Sequence, residues 1–457
     1  SARGIIAGGA ANINGSTLQA ESGGSYLPDR SYTFLSAAGG ITGSLTNTEG
    51  SAFSGLLSVG NVAVSGTSGA VTLALANHMG SLSGNQQWVY DSLADLVKNT
   101  QSDTVKQAQL GALLGASAET GRAALASAAQ SGSADAGAVT MSSLSVMNAI
   151  GARSMYLSTA PLVQGGLSPA RSEDDVTTRS ALIPVDLGTT GSGWIKFSKS
   201  WESLGSNATK GHGFAASFGF DRSIGADWRL GEFFTYGDNS FTSVSSSLKN
   251  KDYRLGIYGI REKGAEQTFL YFDLGQQQND STRYIQAGGS YMADSSYKSH
   301  TIELGGRYAQ DIDYGKAQSW HRKPYGEVQI VRYRQDGYTE SGAGVWNQQA
   351  GSAGSTYGAV TIGMGVEKKM QNDELEVHLG YKRVLAGSDP TYPVHWVDGA
   401  DNGHTVRGSG LDKNLLVLGL HAEQNQEDGW RLAGDVELEQ GHSQRNIQAS
   451  VTLKKSW

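Results

Sequence analysis

The 457-residue sequence has no cysteine, which excludes disulfide scaffolds, thiolate zinc sites and cysteine nucleophiles. Charged residues make up only 17% of it, against about 25% in an ordinary globular chain. The net charge is −7 and basic residues form no run, so no nucleic-acid partner is expected. No stretch approaches the apolar length of a membrane-spanning helix. Prolines number only 7 against 62 glycines, and the glycines follow no three-residue period, so a collagen is excluded. Ser1-Ala2-Arg3-Gly4 lacks the charged-then-apolar layout of a secretory leader. Averages alone would describe a soluble β-rich chain, but the distribution of residues along the chain says otherwise.

Only 7 of the 39 aromatic residues precede residue 191. The N-terminal part is therefore built from small residues, and the C-terminal part carries the aromatics and most of the charge. Within residues 1–84, short alternating runs (Tyr32–Leu35, Leu57–Val59, Val62–Val64, Val71–Leu75) are separated by Gly, Ser, Asn and Thr. They read as strands too few and too weakly apolar to close a domain, resembling rungs of a β-solenoid. Residues 85–157 change period. Val89, Leu93, Leu96 and Val97 fall at helical spacing, Leu110, Leu113 and Leu114 begin a second stripe, and an alanine-rich stretch follows. A last helix is expected over 138–157, slim and rich in Ser, Ala and Gly, with Asn148 and Arg153 as its polar points. Residues 158–190, with Pro161, Pro169 and Pro184, read as an irregular connector.

Residues 191–457 repeat one pattern, segments of about ten residues in which apolar and polar positions alternate. In 374–382, Leu375, Val377, Leu379 and Tyr381 share one face while Glu376, His378 and Lys382 share the other. Twelve such segments are expected, near 192–201, 213–223, 227–237, 252–262, 266–276, 300–309, 321–333, 356–369, 373–384, 412–424, 428–439 and 445–457. Connections after the second, fourth, eighth and tenth are short, and those after the third, fifth, seventh and ninth are long. Strands of this length, with aromatics at their ends (Trp194, Trp201, Trp228, Tyr236, Tyr325, Tyr333), fit a tilted bilayer span better than a soluble sandwich. Lipid cannot solvate a carboxylate, so Glu303, Glu327, Glu376, Asp435, Glu437 and Glu439 are expected to face a polar lumen. Unpaired backbone groups are equally intolerable in lipid, so the sheet must close. The expected fold is an all-β transmembrane barrel of twelve antiparallel strands, with an α-helix through the lumen and a short β-solenoid before it.

This layout resembles the C-terminal translocator of monomeric autotransporters, the type V secretion family, over essentially the whole chain. Tyr32–Gly43 with Leu56-Leu57 and Val71–Leu75 looks like the closing rungs of a passenger β-helix, and Asn85-Gln86-Gln87 is similar to the family's junction. The resemblance implies four regions: passenger rungs at 1–84, a linker and pore-threading helix at 85–157, a connector at 158–190 and the translocator barrel at 191–457. It implies an assembly signal in the last strand, where Ile447, Ala449, Val451, Leu453 and Trp457 alternate toward lipid; Lys455 departs from that pattern. The function implied is export and surface anchoring of the chain's own upstream passenger, in the outer membrane of a Gram-negative bacterium. Partners would be outer-membrane lipid, the barrel-assembly machinery and periplasmic chaperones. The missing leader then suggests a C-terminal fragment.

Chemistry is not expected. No nucleophile elbow, H-E-x-x-H helix or phosphate loop occurs, and no cofactor is implied. Asn148 is a weak self-cleavage candidate, because the paired asparagine of self-cleaving relatives is replaced by Met147 and Ala149. His395, Asp398, Asp401 and His404 gather in one long loop, a composition that could bind metal but is ordinary for a solvated loop, and no metal is expected. Gly237–Ser240 reads as a turn. Two other functions compete: a passive small-solute porin with an internal plug helix, and a surface adhesin acting through residues 1–80 and the long loops.

Overall fold

The computed structural model describes residues 4–21, 24–130, 191–205, 209–224, 227–316, 319–370, 373–399, 403–407 and 410–457. The expected helix at 138–157 and the connector at 158–190, with Asn148 and Arg153, lie outside the described residues.

Twelve strands form a closed antiparallel barrel: β7 (Gly191–Leu204), β8 (Thr209–Ile224), β9 (Trp228–Thr242), β10 (Ser246–Lys263), β11 (Glu266–Gln286), β12 (Ser290–Gln310), β13 (Trp320–Gln335), β16 (Ala353–Lys369), β17 (Asp373–Ala386), β20 (Asn414–Asn425), β21 (Trp430–Gln440) and β22 (Gln444–Ser456). Closure is made by β22 on β7, from Gln444 beside Leu204 to Ser456 beside Ser192. Gly191 and Trp457 then exchange backbone N–H···O bonds of 3.1 Å. No strand edge is left to lipid, which is what a sheet in hydrocarbon requires.

The alternation read from sequence becomes a two-faced wall. Outward positions are apolar and exposed (Ile195, Phe218, Leu255, Ile257, Leu304, Ile330, Ile362, Leu379, Leu418, Val451), and inward positions are polar and buried. Aromatics bound this belt. Trp228 and Tyr236, eight residues apart on the outer face of β9, are separated by about 26 Å along the strand. At a tilt of about 40° that gives about 20 Å along the membrane normal, close to the apolar height of such barrels. At the lower end, where Gly191 and Trp457 meet, Lys455 lies 5.2 Å from the Trp430 ring and donates to the Asp428 carbonyl. Its stem covers an aromatic while its charge reaches the turn, which accommodates a lysine in an otherwise apolar terminal pattern.

Two of the expected long loops are not loops. The connections after the third and fifth barrel strands are the tight turns at 243–245 and 287–289, because β10, β11 and β12 run to 18, 21 and 21 residues. Their upper halves are polar on the outer face (Lys249, Lys251, Gln276, Gln278, Asp280, Lys298), so the amphipathic signal vanishes above the lipid although pairing continues. For the same reason Gly237–Ser240 is strand and not turn: it lies in β9, where the inward Asn239 donates to Asn250. The long connections after β13 and β17 are structured too. They supply β14 (Tyr338–Thr339), β15 (Gln348–Ala350), β18 (Thr391–Trp396) and β19 (His404–Arg407), a four-stranded sheet above the barrel, tied to β12 by Tyr338 stacked 4.8 Å from Tyr297.

Before the barrel, β1 (Ile5–Ala7) lies parallel to β3 (Ser31–Ala37) and β2 (Ala11–Asn12) parallel to β4 (Ile41–Thr42). Ile5 sits beside Leu35, Ala11 beside Ile41 and Ser16 beside Leu45, an almost constant offset. The hairpin β5 (Leu57–Ser65) and β6 (Ser68–Leu75) then adds to β3 antiparallel. Three helices follow: α1 (Gly84–Asn99), α2 (Thr104–Leu114) and α3 (Ala118–Ala129). Each starts on a side-chain cap. Ser83 and Gln86 form a reciprocal capping box, Asp103 accepts from Val105 and Lys106, and Ser117 accepts from Thr120. Helices this short are marginal alone. They are held by Leu93, Leu96, Leu110, Leu113, Leu114 and Leu125, all fully buried in one apolar core. That core runs from the N-terminal strands through the helices to Ile285 and Ala287 at a hairpin tip and to Val345, Trp346, Val394 and Trp396 of the upper loops.

Candidate functional site

The period-2 alternation of the strands aims one polar set into the barrel, and these side chains pair across the wall. On one side Arg254 donates to Asp252 (2.9 Å), Asp273 (3.0 Å) and Glu303 (3.2 Å). Glu303 also accepts from Tyr271 (3.0 Å) and Gln329 (2.7 Å). Across the lumen Lys196 (3.1 Å), His421 (2.7 Å) and Ser450 (2.8 Å) converge on Asp435, and Lys382 pairs with Glu439 at 2.7 Å. Glu327 stands opposite Arg307, which lies over the Tyr325 ring at 3.7 Å. Glu437 is 3.7 Å from His378. Near the lower end, Trp194, Phe233, Tyr258, Phe269 and Tyr271 cluster on the inward face, with Tyr258 donating to Asp221 at 2.8 Å. A fully desolvated charge is tolerated only when paired and hydrogen-bonded, and this lattice supplies that pairing.

The structure thus places all six carboxylates singled out from sequence on inward positions, although no two of them form a common chemical centre. Among the described residues one wall is acidic in excess: β16, β17 and β21 present Glu367, Glu374, Glu376, Asp435, Glu437 and Glu439 against Lys382, the Arg431 that pairs with Glu423, and the Lys323 of β13 that pairs with Glu367. Glu367, Glu374 and Glu376 lie close enough together to share a cation, but such a cluster on a lumen wall is by itself no metal site. Ile447, Ala449, Val451 and Leu453 take the outward positions of β22, and Trp457, exposed, follows directly after its end. Sequence reasoning missed Arg254; its signal was present, since Asp252 and Arg254 occupy the inward phase of β10.

Sequence also missed the clamp at the barrel's mouth. Arg283, inward on the upper part of β11 and only 1% exposed, forks onto Glu340 at 2.9 and 2.6 Å. The same guanidinium donates to the carbonyls of Ala128 (3.3 Å), Gln130 (2.9 Å) and Trp346 (2.6 Å). It therefore grips the C-terminal end of α3, a position where a cation complements the helix dipole. The His- and Asp-bearing loop after β17 serves the same docking. Asp398 pairs with Lys106 at 2.8 Å, Trp396 stacks on Trp88 at 4.8 Å, and His404 also stacks on Trp88 at 4.9 Å while meeting Asn85 at 3.0 Å. Burial pushes the His404 imidazole below its ordinary pKa. His395 lies in β18 opposite Gln349, and Asp401 is outside the described residues. At the lower end Asp313 accepts from Arg322 and Lys316, which hold its carboxyl well below the usual range.

An apolar outer belt between aromatic rims, a paired polar lumen and a mouth covered by the preceding helices define a transmembrane β-barrel capped by its own chain. The family described as the autotransporter beta-domain matches residues 190–437, and the chain belongs to it. The barrel is accordingly an outer-membrane translocator for the chain's own passenger, in the Gram-negative outer membrane. Among solved structures, the chain is similar to the translocator domain of autotransporter NalP from Neisseria meningitidis, at 15% identity and a TM-score of 0.49, over 59% of this chain and 90% of that one. It is also similar to the beta domain of the Bordetella autotransporter BrkA (15%, TM-score 0.41, 58% and 99% covered). A third similar structure is the transport unit of AIDA-I from Escherichia coli (12%, TM-score 0.40, 60% and 93% covered). No curated protein matches the sequence.

Proposed function

We propose that the passenger is exported as a hairpin whose retained limb stays in the lumen, so that residues 138–157 become the plug of the finished pore. The observation that carries this reading is positional. Arg283 holds the end of α3 at the upper mouth, whereas β7 begins beside Trp457 at the lower end. Residues 131–190 connect these two points, and about 20 helical residues suffice to cross 30 Å. Arg153 would then meet the acidic wall of β16, β17 and β21, with Glu376 and Glu437 as its partners.

The upper end faces the cell exterior in this account, and the parallel stack of β1 on β3 and β2 on β4 is the end of the passenger solenoid. Its β1 edge, with Ile5 and Ile6 exposed, offers pairing to a preceding coil. The outward set Ile447, Ala449, Val451, Leu453 and Trp457 is the assembly signal read by the barrel-assembly machinery after periplasmic chaperones deliver the chain. The role is transport without catalysis, Asn148 being a polar point of the helix. Deleting 138–157 should raise single-channel conductance in a planar bilayer while the barrel keeps its heat-modifiable migration. A folded barrel whose conductance does not change would contradict the plug.

A further inference from the structure

On the outer face of β12 and β13, just above the apolar belt, four basic side chains gather. His300 is directly opposite Arg334, Arg332 precedes Arg334 on the same face, and Lys298 follows along β12. All four are exposed. Lys298 is diagonal to Arg334 across this strand pair, and like charges within reach of one another on adjacent strands destabilise a sheet unless something neutralises them. The acidic residues nearby are Asp336, exposed just after β13 with its N–H on the Lys298 carbonyl at 2.9 Å, Asp294, exposed four residues above Lys298 on β12 and accepting from Thr282, and Asp238 and Asp280, which face Lys251 and Lys249 across neighbouring strands. No ion pair is formed by Lys298, His300, Arg332 or Arg334 among the described residues; Arg332 donates at 2.8 Å to Thr356.

Cations at the lower end are arranged differently. Arg322 and Lys316 are bound to Asp313, Lys368 lies over Trp320, and Lys455 over Trp430. The upper cations also run against a net charge of −7. Directly below them, in the same outward phase, lie Ile302 and Leu304 on β12 and Ile330 and Val328 on β13, all exposed. The neighbouring strand β16 offers Gly354, Thr356 and Gly358 beside Arg334, Arg332 and Ile330, a low shelf against which a bulky head group fits.

Cations over apolar side chains are the complement of an anionic amphiphile with its acyl chains downward. We propose that this face binds the phosphorylated head group of outer-leaflet lipopolysaccharide, with Lys298, Arg332 and Arg334 on phosphate oxygens. The assignment rests on the upper end facing outward, which cell-surface labelling reads separately. The test uses the whole chain in neutral lipid nanodiscs with purified lipopolysaccharide as the probe. A variant carrying Lys298→Gln, Arg332→Gln and Arg334→Gln should bind at least about tenfold more weakly. Lipopolysaccharide stripped of its phosphates should bind the unaltered protein as weakly, and Lys210→Gln with Arg445→Gln, elsewhere on the upper rim, should change nothing. Equal binding by the triple variant, equal binding of the dephosphorylated probe, or an equal loss in the control variant would each overturn the proposal. Heat-modifiable migration of every variant establishes that the barrel is intact.

Discussion

Replacing Arg283 with methionine should release the helices from the barrel mouth while leaving the barrel intact. The guanidinium is 1% exposed and makes five hydrogen bonds, two to the Glu340 carboxylate and three to carbonyls of 128, 130 and 346. Removing one partner of a buried ion pair costs about 3–5 kcal/mol, most of it the penalty of leaving the other charge stranded. Glu340 keeps one donor, the backbone N–H of Gln348 at 2.8 Å, so the lower end of that range applies. About 3 kcal/mol corresponds to roughly a hundredfold shift in the docking equilibrium. Hydrogen exchange of α3 reads it directly, as amide protection should fall by that factor while β17, β20 and β21 exchange as before. The double variant Arg283→Met with Glu340→Met should recover part of the loss, because neither charge is left alone. Unchanged protection of α3, or a double variant as impaired as the sum of its singles, would refute the clamp.

Other consequences follow from the same geometry. Burial lowers the His404 pKa, so protonation favours the undocked state; the contribution of His404 to docking is complete above about pH 6.5 and is lost as pH falls through its depressed folded value. Protease access to residues 84–130 should therefore rise on acidification, and the rise should vanish in His404→Phe, which keeps the stack on Trp88. Leu418, outward on β20 between Leu379 and Leu438, should cost about 2–4 kcal/mol of barrel stability when changed to Arg; the lumen change Gln448→Arg should cost little. Urea titration of the lipid-embedded barrel measures both, and equal costs would mean that the two faces are wrongly assigned.

The transmembrane barrel was legible because lipid imposes a rule on every second residue. Leu375, Val377, Leu379 and Tyr381 had to be apolar, and their neighbours could be ionised only if the lumen paired them. Where lipid ends, the rule ends. The upper halves of β10 to β12 carry Lys249, Gln276, Gln278, Asp280 and Lys298 outside and Asn250, Gln277 and Asn279 inside, so nothing distinguishes the strands from polar loops. The lumen carboxylates could be named by phase, but their partners depend on which strands become neighbours. Arg254 and Glu303 are 49 positions apart, on β10 and β12 at either side of β11, and meet only through the register of two successive hairpins. The docking of Trp88 on Trp396 and His404, and of Lys106 on Asp398, was invisible for the same reason: each joins segments about 300 residues apart.

The absence of cysteine makes the central claim directly measurable, because a single introduced thiol is the only reactive one in the chain. Asn61→Cys, exposed on the N-terminal strands, and Lys263→Cys, exposed at the lower end of β10, should be labelled from opposite sides of the outer membrane. A membrane-impermeant maleimide applied to intact cells should modify Asn61→Cys and spare Lys263→Cys, which reacts only once the membrane is opened. Labelling of Lys263→Cys in intact cells, or protection of Asn61→Cys until the membrane is opened, would contradict export of the N-terminal part by this barrel.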